Sequence, residues 1–220
     1  LNIWNGLVPQ LTDIQALKKI KIDHFKFKRN FNLFNTLLKQ SQPIDTNIDG
    51  ITEIVFGNPK ASTQITIVTS PFCGHCKPVH NLVEDILKKH AERVKILIRF
   101  SANTSNPDNA LVKTTSRLIE LYYTKGSDTC LNAMHHIYNG QDVEQWLGQF
   151  GVCNEKLRYF NVLEKESEWC KGNALNFTPV MLINGRSFPK EYDRGDLIYF
   201  IEDLHDNCGV EEIKDIQFVT

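Results

Sequence analysis

Ile65-Thr66-Ile67-Val68-Thr69-Ser70-Pro71-Phe72-Cys73-Gly74-His75-Cys76-Lys77 joins an apolar run to a cysteine pair and then to a helical pattern. The run Ile65–Val68 reads as a buried strand, Ser70-Pro71-Phe72 ends it, and Cys73 is expected where a helix begins. The first turn of a helix carries backbone N–H groups without intrahelical partners, and the peptide dipoles add partial positive charge there. A thiolate is stabilised at such a point, and the thiolate is the nucleophile of disulfide exchange. Cys76, about one turn on, is within disulfide reach, so the chemistry suggested is reversible dithiol–disulfide exchange. Two other readings of a CxxC are half of a zinc site and a closed structural disulfide. A zinc site normally needs a second pair or suitably spaced histidines. The chain has no second CxxC, and His75, His80 and His90 do not follow a zinc-finger spacing. No metal site is expected.

Working outward, Ile51–Phe56 reads as a strand closed by Gly57-Asn58-Pro59, and a second strand, about 64–69, delivers the cysteine pair. Val79, Leu82, Val83, Ile86 and Leu87 recur at the three-and-four spacing of one helix face. Arg93–Phe100, rich in Val and Ile, reads as a third strand, so strand, helix and strand imply a parallel crossover. From about 107 to 171 the signals are helical. Leu111, Thr114, Thr115, Leu118, Leu121 and Tyr122 share one face, and Gly126-Ser127-Asp128 turns into a second helix with Asp128 as its expected cap. Val143, Trp146, Leu147 and Phe150 mark a third helix, ended by Gly151; Leu157, Phe160 and Leu163 mark a fourth. These stripes are expected to be core. His135 and His136 are adjacent, hence about 100° apart on a helix, and would not chelate one metal together. Thr178–Ile183 then reads as a strand, Asn184-Gly185 as a hairpin turn and Arg186–Pro189 as its return. A last helix holds Leu197, Ile198, Phe200, Ile201 and Leu204.

The ends read differently. Residues 1–48 form an N-terminal segment in which Phe31, Phe34, Leu37 and Leu38 predict a helix over about 29–40, with Ser41-Gln42-Pro43 as a boundary. Lys18, Lys19, Lys21, Lys26, Lys28 and Arg29 make a basic cluster interrupted by Asp23. It reads as a solvated helix face, or as a contact for anionic headgroups. The compact domain spans 49–207, and 208–220 reads as a loosely held tail. A net charge of −1 gives no global field for nucleic acid, and no apolar stretch is long enough to span a membrane. No secretory signal is visible, and the start at Leu1 suggests a processed product or a piece of something longer. Six cysteines are rather many for a reducing cytosol. Outside the CxxC, Cys130–Cys153 and, less firmly, Cys170–Cys208 are the favoured pairings; the alternative is buried thiols acting as small hydrophobes.

The order strand, strand-CxxC-helix, strand, helical block, Thr-Pro strand, Asn-Gly hairpin, helix resembles the thioredoxin superfamily over about 49–207. The helical insertion makes it similar to the DsbA-like branch. Two motifs carry the likeness: Pro71-Phe72-Cys73-Gly74-His75-Cys76-Lys77, and Thr178-Pro179-Val180. The resemblance implies an α/β thioredoxin-like fold with a helical insertion, preceded by a helical N-terminal segment. It makes Cys73 the attacking and Cys76 the resolving cysteine, with Gly74 and His75 between them. Thr178, before a cis Pro179, would pair with an extended substrate strand. His75 would favour the Cys73 thiolate, which makes the disulfide a better oxidant. Reference potentials run from about −270 mV for thioredoxin to about −120 mV for DsbA. The implied function is thiol–disulfide oxidoreduction on cysteine-containing exported proteins, with no cofactor. Isomerase or reductase action at the same site, and a non-catalytic thioredoxin-like binding module, are the competing readings. Many relatives carry a buried acid six residues before the first cysteine, where this chain has Ile67; Lys77, solvent or Glu53 would then have to move the proton of Cys76. Trp169-Cys170 and the Phe-rich N-terminal helix are similar to a bacterial subgroup whose domain is joined to a vitamin K epoxide reductase-like membrane protein. That likeness implies such a membrane partner as reoxidant, and an extracytoplasmic, periplasmic location tethered to the membrane.

Overall fold

The structure is a computed structural model and describes residues 3–207. The tail after residue 207, and with it the Cys170–Cys208 pairing, lies outside the described residues. Two helices come first, α1 (Ile3–Lys28) and α2 (Phe31–Gln40). The helix expected over about 29–40 is α2, and the long α1 precedes it. The chain breaks between them at Asn30, whose side chain accepts from the Leu33 N–H and caps α2. The lysines of the basic cluster therefore ride on α1, and Arg29 lies at the break. Lys28 anchors the end of α1 by donating to Asp193 at 2.6 Å and Asp196 at 3.3 Å. On α2, Phe34 and Leu38 are buried in the same core as the domain that follows, and Phe34 stacks on Phe200 at 4.3 Å. The segment set apart as 1–48 thus contributes directly to that core.

The sheet holds β1 (Ile54–Gly57), β2 (Thr63–Thr69), β3 (Val94–Phe100), β4 (Val180–Ile183) and β5 (Arg186–Ser187), in the order β1-β3-β2-β4-β5. Strands β2 and β3 are parallel, in register from Thr63↔Val94 to Thr69↔Phe100, and are joined through α3 (Lys77–His90). All other pairs are antiparallel. Alternation sends Ile65 and Ile67 of β2 to the core beneath α3, while Val68 packs with Cys170, Val180 and Leu182 on the opposite face. The cysteine pair therefore ends a central strand that is packed on both sides.

Between β3 and β4 lie α4 (Ala110–Lys125), α5 (Ser127–Tyr138), α6 (Val143–Phe150) and α7 (Lys156–Gly172). Their starts follow capping chemistry: Asn109 accepts from the Leu111 N–H, and Asp142 from those of Glu144 and Gln145. Asp128 is not a cap, because α5 already begins at Ser127, with Gly126 in the cap position. Leu157 is 89% exposed; the buried face of α7 runs through Tyr159, Leu163 and Glu166 instead. The last helical segment starts as a 3-10 turn at Arg194–Tyr199 and continues as a helix over 201–207.

Cys130, Cys153 and Cys170 are free thiols. The expected Cys130–Cys153 bridge is absent for a local reason: the Cys130 thiol donates to the Leu118 carbonyl at 3.4 Å, inside the α4–α5 packing. Burial pushes the thiols of Cys153 and Cys170 up to about 11 and that of Cys130 higher still. All three are inert small hydrophobes rather than nucleophiles.

Candidate active site

The strand β2 ends at Thr69, and the next seven residues wind down onto α3. The Cys73 N–H donates to the Ser70 carbonyl at 3.1 Å, the Cys76 N–H to the Cys73 carbonyl at 2.9 Å, and the His80 N–H to the Cys76 carbonyl at 2.9 Å. Cys76, not Cys73, occupies the cap of α3, and Cys73 lies one turn ahead of it. Pro78 falls in the first turn of the helix, where its missing N–H removes no bond. Cys76 is fully buried and Cys73 half-buried, while Gly74 and His75 are exposed. A Cβ added at Gly74 would meet nothing within 4 Å, so space does not demand glycine there.

The second motif arrives from the far end of the sheet. Thr178-Pro179 is a cis peptide leading into β4, and the Pro179 carbonyl accepts from Arg194 at 3.1 Å. The Cys73 thiol donates to the Thr178 carbonyl at 3.5 Å across 105 residues of chain. The structure thus brings Cys73, Cys76, Thr178 and Pro179 together, with Gly74 and His75 on the rim. Phe72 and Phe177, each just before a site residue, stand exposed at 47% and 63%. Beyond Pro179 lies an open cavity of about 380 Å³ lined by Phe177, Pro179, Met181, Phe188, Tyr192 and Arg194.

The two sulfurs occupy unlike surroundings. The Cys73 thiol is held below its ordinary value, first by hydrogen bonding from the Thr178 side chain, which outweighs the opposing effect of burial. The Cys76 thiol and the backbone N–H groups of His75 and Cys76 act in the same direction. While protonated, Cys73 donates to the Thr178 carbonyl; once ionised it needs donors, and these groups supply them. The contribution of His75 comes through its backbone. Burial pushes the Cys76 thiol up, only partly offset by hydrogen bonding from Thr69. Of the two thiols, Cys73 is therefore the one that gives up its proton more readily, and Cys76 the one that keeps it.

Thr69 and Tyr138, which the sequence does not mark as site residues, complete the site together with His80. The Thr69 hydroxyl, next to Cys76, shares a 2.9 Å hydrogen bond with the buried Tyr138 hydroxyl, and the His80 ring stacks on Tyr138 at 4.7 Å. Burial lowers the His80 imidazole to about 4. Position 67 is apolar and closed off, as Ile67 is part of the core. Glu53 is not the missing proton acceptor. It pairs with Arg99, whose guanidinium lies 4.0 Å over the Trp169 ring of α7. Arg99 alternates with the core residues Ile98 and Phe100 of β3, so this pair belongs to the sheet face away from Cys76.

A strand-CxxC-helix facing a Thr–cis-Pro turn on a five-stranded mixed sheet defines a thioredoxin fold with a dithiol site. The chain belongs to the thioredoxin family, whose sequence model, described as Thioredoxin, matches residues 49–203. Among solved structures, the thiol-disulfide exchange protein α-DsbA2 of Wolbachia pipientis is similar with a TM-score of 0.58 at 15% identity, covering 79% of this chain and 97% of its own. Proteus mirabilis ScsC in a transitional conformation gives 0.59 at 13%, covering 91% and 99%. Oxidised BdbD of Bacillus subtilis gives 0.57 at 13%, covering 76% and 98%. At such identities the likeness is one of fold, and that fold is DsbA-like. None of the curated proteins matches the chain. Among the described residues no helix is long and apolar enough to cross a membrane.

Proposed function

We propose that this protein is a thiol–disulfide oxidoreductase that oxidises cysteine pairs in exported proteins. The observation that carries the reading is the asymmetry of the two sulfurs: Cys73 half-buried with its thiol held below the ordinary value, Cys76 buried with its thiol pushed up. In the oxidising direction a substrate thiolate attacks Cys73 Sγ of the Cys73–Cys76 disulfide. The S–S bond breaks, Cys76 leaves with the electron pair and is protonated, and a mixed disulfide forms on Cys73. A second substrate thiolate then attacks the substrate sulfur, releasing Cys73 as a thiolate. The substrate has lost two electrons and the pair has gained them. Stabilising the Cys73 thiolate stabilises the reduced enzyme, which favours this direction over reduction.

Substrate binding is assigned to Thr178 and Pro179, beside the reactive sulfur, with Phe72 and Phe177 as apolar contacts for an extended segment. Reoxidation needs an acceptor for two electrons. The resemblance of the sequence points to a vitamin K epoxide reductase-like membrane protein in that place, and to an extracytoplasmic, periplasmic setting.

Oxidative refolding of a reduced multi-cysteine protein tests the activity. Wild type accelerates it and Cys73→Ser does not; full activity in Cys73→Ser would sink the assignment. A glutathione titration tests the direction, with an expected potential well above the thioredoxin value of about −270 mV. Trapping with Cys76→Ala should collect substrates as mixed disulfides on Cys73.

A further inference from the structure

Outside the cysteine pair, three metal-ligating side chains meet between the active-site helix and the helical insertion. His80 and Glu84 are one turn apart on α3, and His135 reaches them from α5. The Glu84 Oε1 atom is 3.0 Å from His80 Nε2 and 2.8 Å from His135 Nδ1, and the three ligand atoms all lie within 4.8 Å of one another. We propose that His80, Glu84 and His135 form a binding site for a divalent cation of the zinc class, bridging α3 and α5 one turn beyond Cys76.

The strongest support is the state of His80. Its side chain is almost wholly buried, yet Nε2 has no hydrogen-bond partner, because its approach to Glu84 lacks hydrogen-bond geometry. A buried polar atom left unpaired is costly and calls for an explanation. A metal ion supplies one, since the in-plane lone pair of an imidazole nitrogen is what a borderline cation uses. Sequence spacing hid the set. His80 and Glu84 stand at i and i+4 on one helix, and the third ligand comes from 51 residues away.

Ligand chemistry sets the choice of ion. Two imidazoles and one carboxylate match the three-ligand zinc sites that keep a position for water, whereas calcium and magnesium take mostly oxygen ligands. Zinc bonds of about 2.0–2.1 Å place tetrahedral ligand atoms about 3.4 Å apart. The two carboxylate contacts must therefore open by a few tenths of an ångström as the ion enters. His135 is half exposed, and with Glu84 it lines an open cavity that also meets Leu87 and Asp128, so ion and water have a way in. The neighbouring groups are compatible. Asn139 donates to the His135 carbonyl at 2.8 Å, and its amide nitrogen also lies 3.4 Å from each His135 ring nitrogen, a long contact that the ion would replace at Nδ1. Tyr138 packs on the His80 ring face rather than its nitrogen edge.

The test uses the full chain with Cys73–Cys76 oxidised, which removes the thiolates as competing ligands and keeps the outcome separate from the redox activity. Equilibrium dialysis against zinc chloride should give one zinc per chain, and the thermal midpoint should rise with zinc. His135→Ala and Glu84→Gln, both on the accessible side, should each weaken zinc binding by more than about tenfold and lose the thermal shift. Cobalt should bind in the same place with visible d–d bands and without thiolate charge-transfer absorption. Failure of the oxidised protein to retain zinc would overturn the proposal. So would equal retention by wild type and both variants, or a thiolate band with cobalt.

Discussion

Cys73 and Cys76 are three residues apart, yet they face opposite electrostatic demands. The first is served by donors from Thr178, Cys76 and two backbone N–H groups; the second is desolvated over a Thr69–Tyr138 pair. Thr178→Val keeps the shape of the side chain and removes its hydroxyl. The thiolate fraction of Cys73 should fall, so the pH profile of its alkylation by iodoacetamide should move to higher pH, towards an ordinary cysteine. An unchanged profile would take Thr178 out of the site. On the other sulfur, Tyr138→Phe leaves the buried Thr69 hydroxyl without its 2.9 Å partner. A loss of about 1–2 kcal/mol in denaturant unfolding is expected. The resolving step should also change: release of mixed disulfides by Cys76 should show an altered pH dependence while alkylation of Cys73 does not. These contacts explain why the sequence led to the cysteines but not to their support. A CxxC is a local signal, whereas Thr69 and Tyr138 are 69 residues apart and become neighbours only through folding.

Elements with a strong period were legible before the fold was known. The continuous apolar run of β2, the three-and-four stripe of α3 and the Asn184-Gly185 turn all lie where pattern reasoning puts them. Ends and exposed faces were harder. The start of α3 lies past Cys73 because the CxxC itself is spent on a turn, and Leu157 belongs to an apolar-looking stripe whose first member faces solvent. The long α1 went unread because its apolar and basic residues alternate without a clean face, and several of its apolar side chains, Leu17, Ile20 and Phe25 among them, are exposed. The β4–β5 hairpin also supplies a test at this scale. Gly185 has φ +77°, and a Cβ there would come within 2.5 Å of the Ile44 carbonyl oxygen, whose residue donates its N–H to the Gly185 carbonyl at 2.8 Å. Gly185→Ala should destabilise by at least about 1–2 kcal/mol for the left-handed backbone alone, with the clash in addition. Urea unfolding measures it, and an unchanged midpoint would show that the linker at Ile44 does not clamp this turn.

Across the whole molecule the sheet separates two kinds of interior. The face under α3 is apolar except near the cysteines, while the face under α7 buries charge-bearing groups: Arg99 with Glu53 and, beside them, Glu166. Glu166 accepts from the Phe100 N–H at 2.8 Å and is otherwise desolvated, and burial raises its carboxyl to about 8. Its ordinary value is 4.5, so the folded chain holds a proton that the unfolded chain releases between those limits. Below about pH 4.5 both states are protonated, and the group's preference for the folded state is fully present. Between 4.5 and about 8 that preference is progressively lost, because unfolding frees a carboxylate that water solvates. Stability should therefore decline from pH 5 to pH 8 by more than about 1 kcal/mol on account of Glu166, at about 1.4 kcal/mol for each unit of displacement realised. Glu166→Gln keeps an oxygen for the Phe100 N–H and cannot ionise. It should flatten the decline and leave the variant more stable than wild type at pH 8, with little difference at pH 5. Chemical denaturation at the two pH values measures both effects. A parallel decline in the variant would place the pH dependence elsewhere and leave Glu166 ionised within the fold, held by Arg99.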